Sequence, residues 1–159
     1  TFINKLIKRL DQDNLLDNTV IILYGDHLVY AYNKRVEAGG NPIYDLNKGV
    51  YLIYNKNTKP EKIDTINTTI DMLPTIANLF ALNNYNPSNY LGVDTFNKNT
   101  LHLAYFSDYN WYDGKVYSAE LDLKTYQKNK SYYDSLYNYT SHQIDYNNLI
   151  VTGNFYKNR

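Results

Sequence analysis

The first half of the chain alternates between apolar residues at helical spacing and short, continuous apolar runs. Apolar residues recur at intervals of three and four from Phe2 to Leu10, which predicts an amphipathic helix over residues 1–16. The run Val20–Tyr24 is apolar on both faces of a strand, a pattern typical of a central parallel strand covered by helices. A helix, a tight turn and a buried strand make half of an α/β unit, so we expect an α/β fold.

The pattern continues beyond this first strand. Residues 28–48 are polar and include a Gly-Gly-Asn-Pro sequence, which predicts a long loop of the kind that often carries function. A second strand is expected over residues 49–54. A helix capped by Thr68 or Thr69 follows, with an apolar stripe that ends at Phe80.

From Leu101 onward the sequence changes to strand-like runs and Tyr-rich polar segments. Two such runs flank Asp113-Gly114, which is a strong hairpin signal. Residues 126–148 predict helical or irregular structure. We therefore expect two domains, an α/β portion over residues 1–95 and a smaller antiparallel α+β subdomain over residues 96–159.

Composition excludes some classes of function. Lys and Arg number 16 against 16 Asp and Glu, so no net charge favours nucleic acid or an anionic membrane surface as a partner. The absence of Cys excludes disulfides and thiol chemistry, and the 19 Tyr are read mainly as compositional bias. The chain has no apolar run long enough to span a bilayer and begins within a helical pattern, so we expect a piece of a longer protein, with any anchor upstream.

Asp26 and His27 are the first candidates for chemistry, because they follow the apolar strand directly. Ligands of open α/β sheets bind beyond the carboxyl ends of the strands. Gly25 permits a bend there, after which both side chains can converge on one cation. A carboxylate oxygen and an imidazole nitrogen suit Zn²⁺ or Mn²⁺ better than Ca²⁺. The alternative is an Asp that caps the next turn and a His bonded to the backbone.

The other candidates have simpler structural explanations. Asp71 is expected to serve the N-terminus of its helix rather than catalysis, and Asp94 to be a turn or cap residue. His102 and His142 have no partners at ligand spacing and are read as ordinary surface or hydrogen-bonded histidines. A sugar-stacking rim is one interpretation of the hairpin, and a hairpin with a packed Trp is the commoner one. The rim would consist of Asp108, Trp111, Tyr112 and Asp113.

Four segments carry a resemblance to a known family. "NTVIILYGDH" (residues 18–27) resembles the signature of the alkaline phosphatase/sulfatase superfamily, specifically its lipoteichoic acid synthase-like branch. "TIDMLPTIANLFAL" (residues 69–82) and "YLGVDTF" (residues 90–96) are similar to the branch's later helix and its Leu-Gly-x-Asp segment. "SDYNWYDGKVY" (residues 107–117) is a looser match to an aromatic-rich hairpin. All four occur in family order.

The resemblance implies the C-terminal portion of an alkaline phosphatase-like sandwich with a small antiparallel α+β subdomain. It implies a phosphoglycerol transferase or sulfatase-like hydrolase in which a Thr or Ser nucleophile attacks phosphorus with help from a divalent cation. The cation is expected to be Mn²⁺, with Zn²⁺, Mg²⁺ or Ca²⁺ as alternatives. Asp26 and His27 map onto metal ligands, whereas the family's nucleophile and remaining ligands lie N-terminal to the Gly-Asp-His motif. No catalytic residue is therefore assigned here, and the piece alone is expected to be inactive.

The same resemblance implies a phospholipid or glycopolymer substrate and a location on the outer face of a bacterial cell membrane. Leu28-Val29-Tyr30 stands where the family often has an aromatic residue and Gly, which leaves a non-catalytic homologue open. The second hypothesis is a binding module, in which the Tyr-rich residues 101–159 recognise a surface glycopolymer.

Overall fold

A computed structural model describes residues 1–25 and 48–158 of the chain. The described residues contain α-helices, short 3-10 helices and two sheets of two strands each. The helices are α1 (Phe2–Gln12), α2 (Met72–Leu79), α3 (Leu123–Lys128) and α4 (Lys130–Thr152). The strands are β1 (Ile21–Tyr24), β2 (Tyr51–Tyr54), β3 (Ala104–Tyr105) and β4 (Trp111–Tyr112). The 3-10 helices are Leu16–Asn18, Thr69–Asp71, Pro87–Asn89, Ser118–Glu120 and Phe155–Asn158.

The chain divides into two compact units, Thr1–Lys62 and Ile63–Arg159. The predicted boundary at residue 95 concerns the functional domains and stays a prediction. The overall class is mixed α/β, as predicted, with both sheets small and antiparallel.

The first unit contains α1 and the β1–β2 pair. The helix ends earlier than predicted, at Gln12, because Asn14 adopts a left-handed backbone with φ 57°. Lys56, in the turn after β2, donates from Nζ to Asp11 Oδ1 at 2.9 Å and approaches Asp17 at 3.3 Å. This lysine therefore ties the turn after β2 to α1 and to the turn before β1.

The strands β1 and β2 lie where the apolar runs predicted strands, but their arrangement corrects the prediction. They pair antiparallel, with Ile21 opposite Tyr54 and Tyr24 opposite Tyr51. The parallel neighbour expected for β1 is therefore wrong for the described residues. The residues of β1 are half-buried or exposed rather than covered on both faces, and an apolar run carries no information on the direction of the partner strand.

In the second unit, the helix α2 is fixed by the segment that follows it. Its buried residues are Pro74, Thr75 and Ala77, whereas Leu73 and Phe80 of the predicted apolar stripe are 57% and 50% exposed. The predicted stripe is buried at Ala77 and half-buried at Ile76, and the rest of the buried face differs because hydrogen bonds as well as apolar contacts hold it. Thr75 Oγ1 lies 2.9 Å from Thr95 Oγ1 and accepts from the Thr95 N–H at 2.9 Å.

The core of the second unit lies between the β3–β4 hairpin and the long helix α4. Trp111 is 0% exposed, and its ring stacks on Tyr133 with centroids 5.8 Å apart and 14° between the planes. Leu103 and Leu136 complete the buried cluster. Aromatic pairs of this kind add to the free energy gained by burying their area. The Tyr-rich C-terminal segment thus supplies core residues from a single helix.

The hairpin forms one turn earlier than predicted. The strands β3 and β4 flank residues 106–110, where Tyr109 has φ 65° and Asp108 Oδ1 accepts from the Asn110 N–H at 3.1 Å. The turn at Asp113-Gly114 leads only to an isolated bridge between Tyr112 and Tyr117. The strand-like run predicted after this turn is replaced by the 3-10 helix Ser118–Glu120 and by α3. Asp122 caps α3 by accepting from the Thr125 N–H at 2.9 Å, which stops an extended run.

Candidate functional site

The predicted metal ligands Asp26 and His27 lie outside the described residues. The structure does describe the backbone on either side of the segment that contains them. The Gly25 N–H donates to the Val50 carbonyl at 3.1 Å, so the pairing of β1 with β2 continues through Gly25. A Cβ atom built on Gly25 would lie 3.7 Å from the Gly49 Cα. The paired strand end therefore extends to the residue directly before the Asp-His dipeptide.

The donor set can be tested against the metal chemistry that the dipeptide predicts. A carboxylate oxygen and a neutral imidazole nitrogen are both accepted by Zn²⁺ and Mn²⁺, so the two side chains fit such an ion chemically. Two donors do not fill a coordination shell of four or more positions, and further ligands must come from elsewhere. Among the described residues, no group of three or more His, Asp and Glu side chains could hold a metal ion.

Asp71 is a structural residue, as the sequence predicted. Its carboxylate is 5% exposed and both oxygens accept hydrogen bonds. One oxygen accepts from the Thr68 N–H at 2.7 Å and from the Thr68 hydroxyl at 3.1 Å, which closes a capping box at the start of the helix. The other accepts from the Val93 N–H at 2.8 Å. Asp71 therefore joins the helix start to the Leu-Gly-x-Asp segment.

Asp94 and the two remaining histidines also have structural positions. Asp94 accepts from the Phe96 N–H at 3.1 Å and from the Asn78 side-chain amide at 2.7 Å, so the turn role predicted for it is confirmed. His102 Nε2 lies 2.8 Å from the Asn97 carbonyl oxygen, and the His142 ring lies near Tyr146, 6.5 Å between centroids. The prediction of a hydrogen-bonded histidine is confirmed for His102.

The hairpin contains a packed Trp and not a sugar-stacking rim centred on it. Trp111 is completely buried, so its ring offers no face to a sugar. Asp113 accepts from the backbone N–H groups of Lys115 at 2.8 Å and Val116 at 2.7 Å, and from the Tyr132 hydroxyl at 2.9 Å. Burial and this bond to Asp113 raise the pKa of Tyr132 to about 12. These groups build the hairpin and anchor it to α4.

Asp108 lies in the turn between β3 and β4, before Asp113. Hydrogen bonds from the Asn110 side chain and backbone hold the pKa of the Asp108 carboxyl below its usual value. The Asn110 amide oxygen in turn accepts from the Ser118 hydroxyl at 2.7 Å. The Ser118 hydroxyl oxygen accepts from the Trp111 N–H at 2.9 Å. The carboxylate thus organises a closed network under the turn.

Sequence reasoning missed the residues that fasten the Leu-Gly-x-Asp segment to the helix. A Cβ atom on Gly92 would lie 2.1 Å from the Ile70 carbonyl oxygen, so only glycine fits there. Thr75 and Thr95 form the buried hydroxyl contact described above. The isolated glycine between two apolar residues was the available signal, because such a glycine often marks a close approach of two backbones.

Comparison with known protein families gives one match. The sulfatase family model matches residues 1–82, which is just over half of the 159-residue chain and includes the Gly25-Asp26-His27 motif. The chain belongs to the sulfatase family. A search of curated proteins and a search of solved structures each found no match.

Family membership assigns the chain to a class of enzymes that act on sulfate or phosphate esters and are typically metal-dependent. It bears out the superfamily to which the motifs pointed. Within the described residues, no helix combines the length and apolarity needed to cross a membrane.

Proposed function

We propose that this chain is the C-terminal part of a metal-dependent phosphoglycerol transferase or sulfatase-like hydrolase of the lipoteichoic acid synthase-like branch. The observation that carries the proposal is the family match over residues 1–82, which includes Gly25-Asp26-His27 at the end of a strand. The branch is inferred from the "NTVIILYGDH", "TIDMLPTIANLFAL" and "YLGVDTF" segments. The substrate would be a phosphate or sulfate ester of a lipid or glycopolymer, at the outer face of a bacterial cell membrane.

In this proposal Asp26 and His27 supply two of the metal ligands. The Asp26 carboxylate provides an anionic oxygen, and the His27 imidazole provides a neutral nitrogen. When bound, a divalent ion such as Mn²⁺ lowers the pKa of a hydroxyl nucleophile and neutralises charge on the phosphoryl oxygens. The paired backbone at Gly25 and Val50 gives the ligand-bearing segment a fixed starting point. Precise placement of ligands by rigid elements is what such sites need.

The proposal is tested by Asp26→Asn in the whole protein that contains this chain. The amide keeps the size of the carboxylate and removes its charge, so we expect turnover of a phosphoglycerol ester to fall at least about 100-fold. Asp145→Asn is the control, because Asp145 is an exposed residue of α4 that accepts a 3.3 Å bond from the Tyr109 hydroxyl. Full activity in Asp26→Asn would refute the assignment.

The substrate class is decided in the same experiment. A phosphoglycerol ester and an aryl sulfate are offered to the unsubstituted protein. Faster turnover of the phosphoglycerol ester supports the proposed branch. Preferential turnover of the sulfate would keep the sulfatase family and contradict the branch.

A further inference from the structure

We draw no further inference here: the strongest candidate, the exposed apolar face of α2 formed by Leu73, Leu79 and Phe80, carries nothing because no feature of the structure shows what covers it.

Discussion

Single residues decide how the Leu-Gly-x-Asp segment meets the helix that precedes it. Gly92 lies against the Ile70–Asp71 backbone, and the Val93 N–H then reaches the buried Asp71 carboxylate. Asp71 also holds the first turn of the helix through Thr68. One carboxylate therefore serves two backbone segments, and the glycine beside it leaves the space that the contact requires.

Replacing Gly92 with alanine should lower the stability of the second unit. The added methyl would overlap the Ile70 carbonyl oxygen, and a forced shift of that kind costs about 1–3 kcal/mol. The free energy of unfolding is measured by urea titration, followed by the fluorescence of Trp111, which is the sole Trp and lies in the core of the same unit. Ser88→Ala, at an exposed position of the 3-10 helix Pro87–Asn89, is the control. Equal stability of the two variants would show that the contact is not needed.

At the scale of elements, the long helix α4 holds the hairpin through a small number of buried side chains. Leu136 is 1% exposed and belongs to the cluster around Trp111, whereas Leu149 of the same helix is 65% exposed. The burial of an element's apolar face, rather than its helical propensity, supplies most of its stability. Substituting each leucine in turn therefore distinguishes the contribution of packing to stability from that of helical propensity.

Leu136→Ala should cost about 2–5 kcal/mol, because it removes buried methyl groups and leaves a cavity beside the Trp111 ring. Leu149→Ala carries the same chemical change at an exposed position and should stay within about 0.5 kcal/mol of the unsubstituted protein. Urea unfolding followed by Trp111 fluorescence measures both. Similar losses for the two variants would contradict the described core.

The junction of α3 and α4 should respond to pH. Hydrogen bonds from Lys130 and from the Tyr126 hydroxyl lower the pKa of Asp134 below its ordinary value of 3.8. A carboxyl group with a depressed folded-state pKa adds stability that is present above its unfolded pKa and is lost as the pH falls through the folded one. The urea midpoint should therefore fall as the pH drops below 3.8.

Two variants assign this part of the pH dependence to the Asp134–Lys130 pair. Asp134→Asn and Lys130→Met should each make the fall in midpoint shallower between about pH 4 and pH 2. The double variant should match Asp134→Asn, because the asparagine already removes the effect of both bonds, whereas Lys130→Met leaves the bond from the Tyr126 hydroxyl in place. A pH profile unaltered by either substitution would show that the pair does not contribute.

Apolar periodicity predicted which elements exist more reliably than how they pair. It located α1, β1, β2 and α2, although α1 has no buried residue and the residues of β1 and β2 are half-buried or exposed. It could not give the antiparallel partner of β1, which depends on contacts between distant residues. The Asp113-Gly114 pair predicted the hairpin turn at residues 113–114. Hydrogen bonds to the side chains of Asp108 and Asn110 instead support the turn at residues 106–110. Such bonds leave no periodic trace.

At the scale of the whole chain, the family match ends before the segment that packs against its last helix. The match ends at residue 82, and the segment 91–96 is bonded to the helix within the matched part. The end of the α/β portion at residue 95 stays a prediction. The candidate site was predictable only as a motif, because the neighbouring Asp and His at a strand end carry a signal that family membership strengthens.

The most direct test of the account is the metal content of the whole protein, measured by mass spectrometry after purification with Mn²⁺. Asp26→Asn and His27→Gln should each lose most of the bound ion, because removing one ligand weakens affinity steeply. His142→Gln, on α4 beside Tyr146, should bind as much metal as the unsubstituted protein. Equal metal content in all four proteins would contradict the claim that the dipeptide after β1 holds the ion.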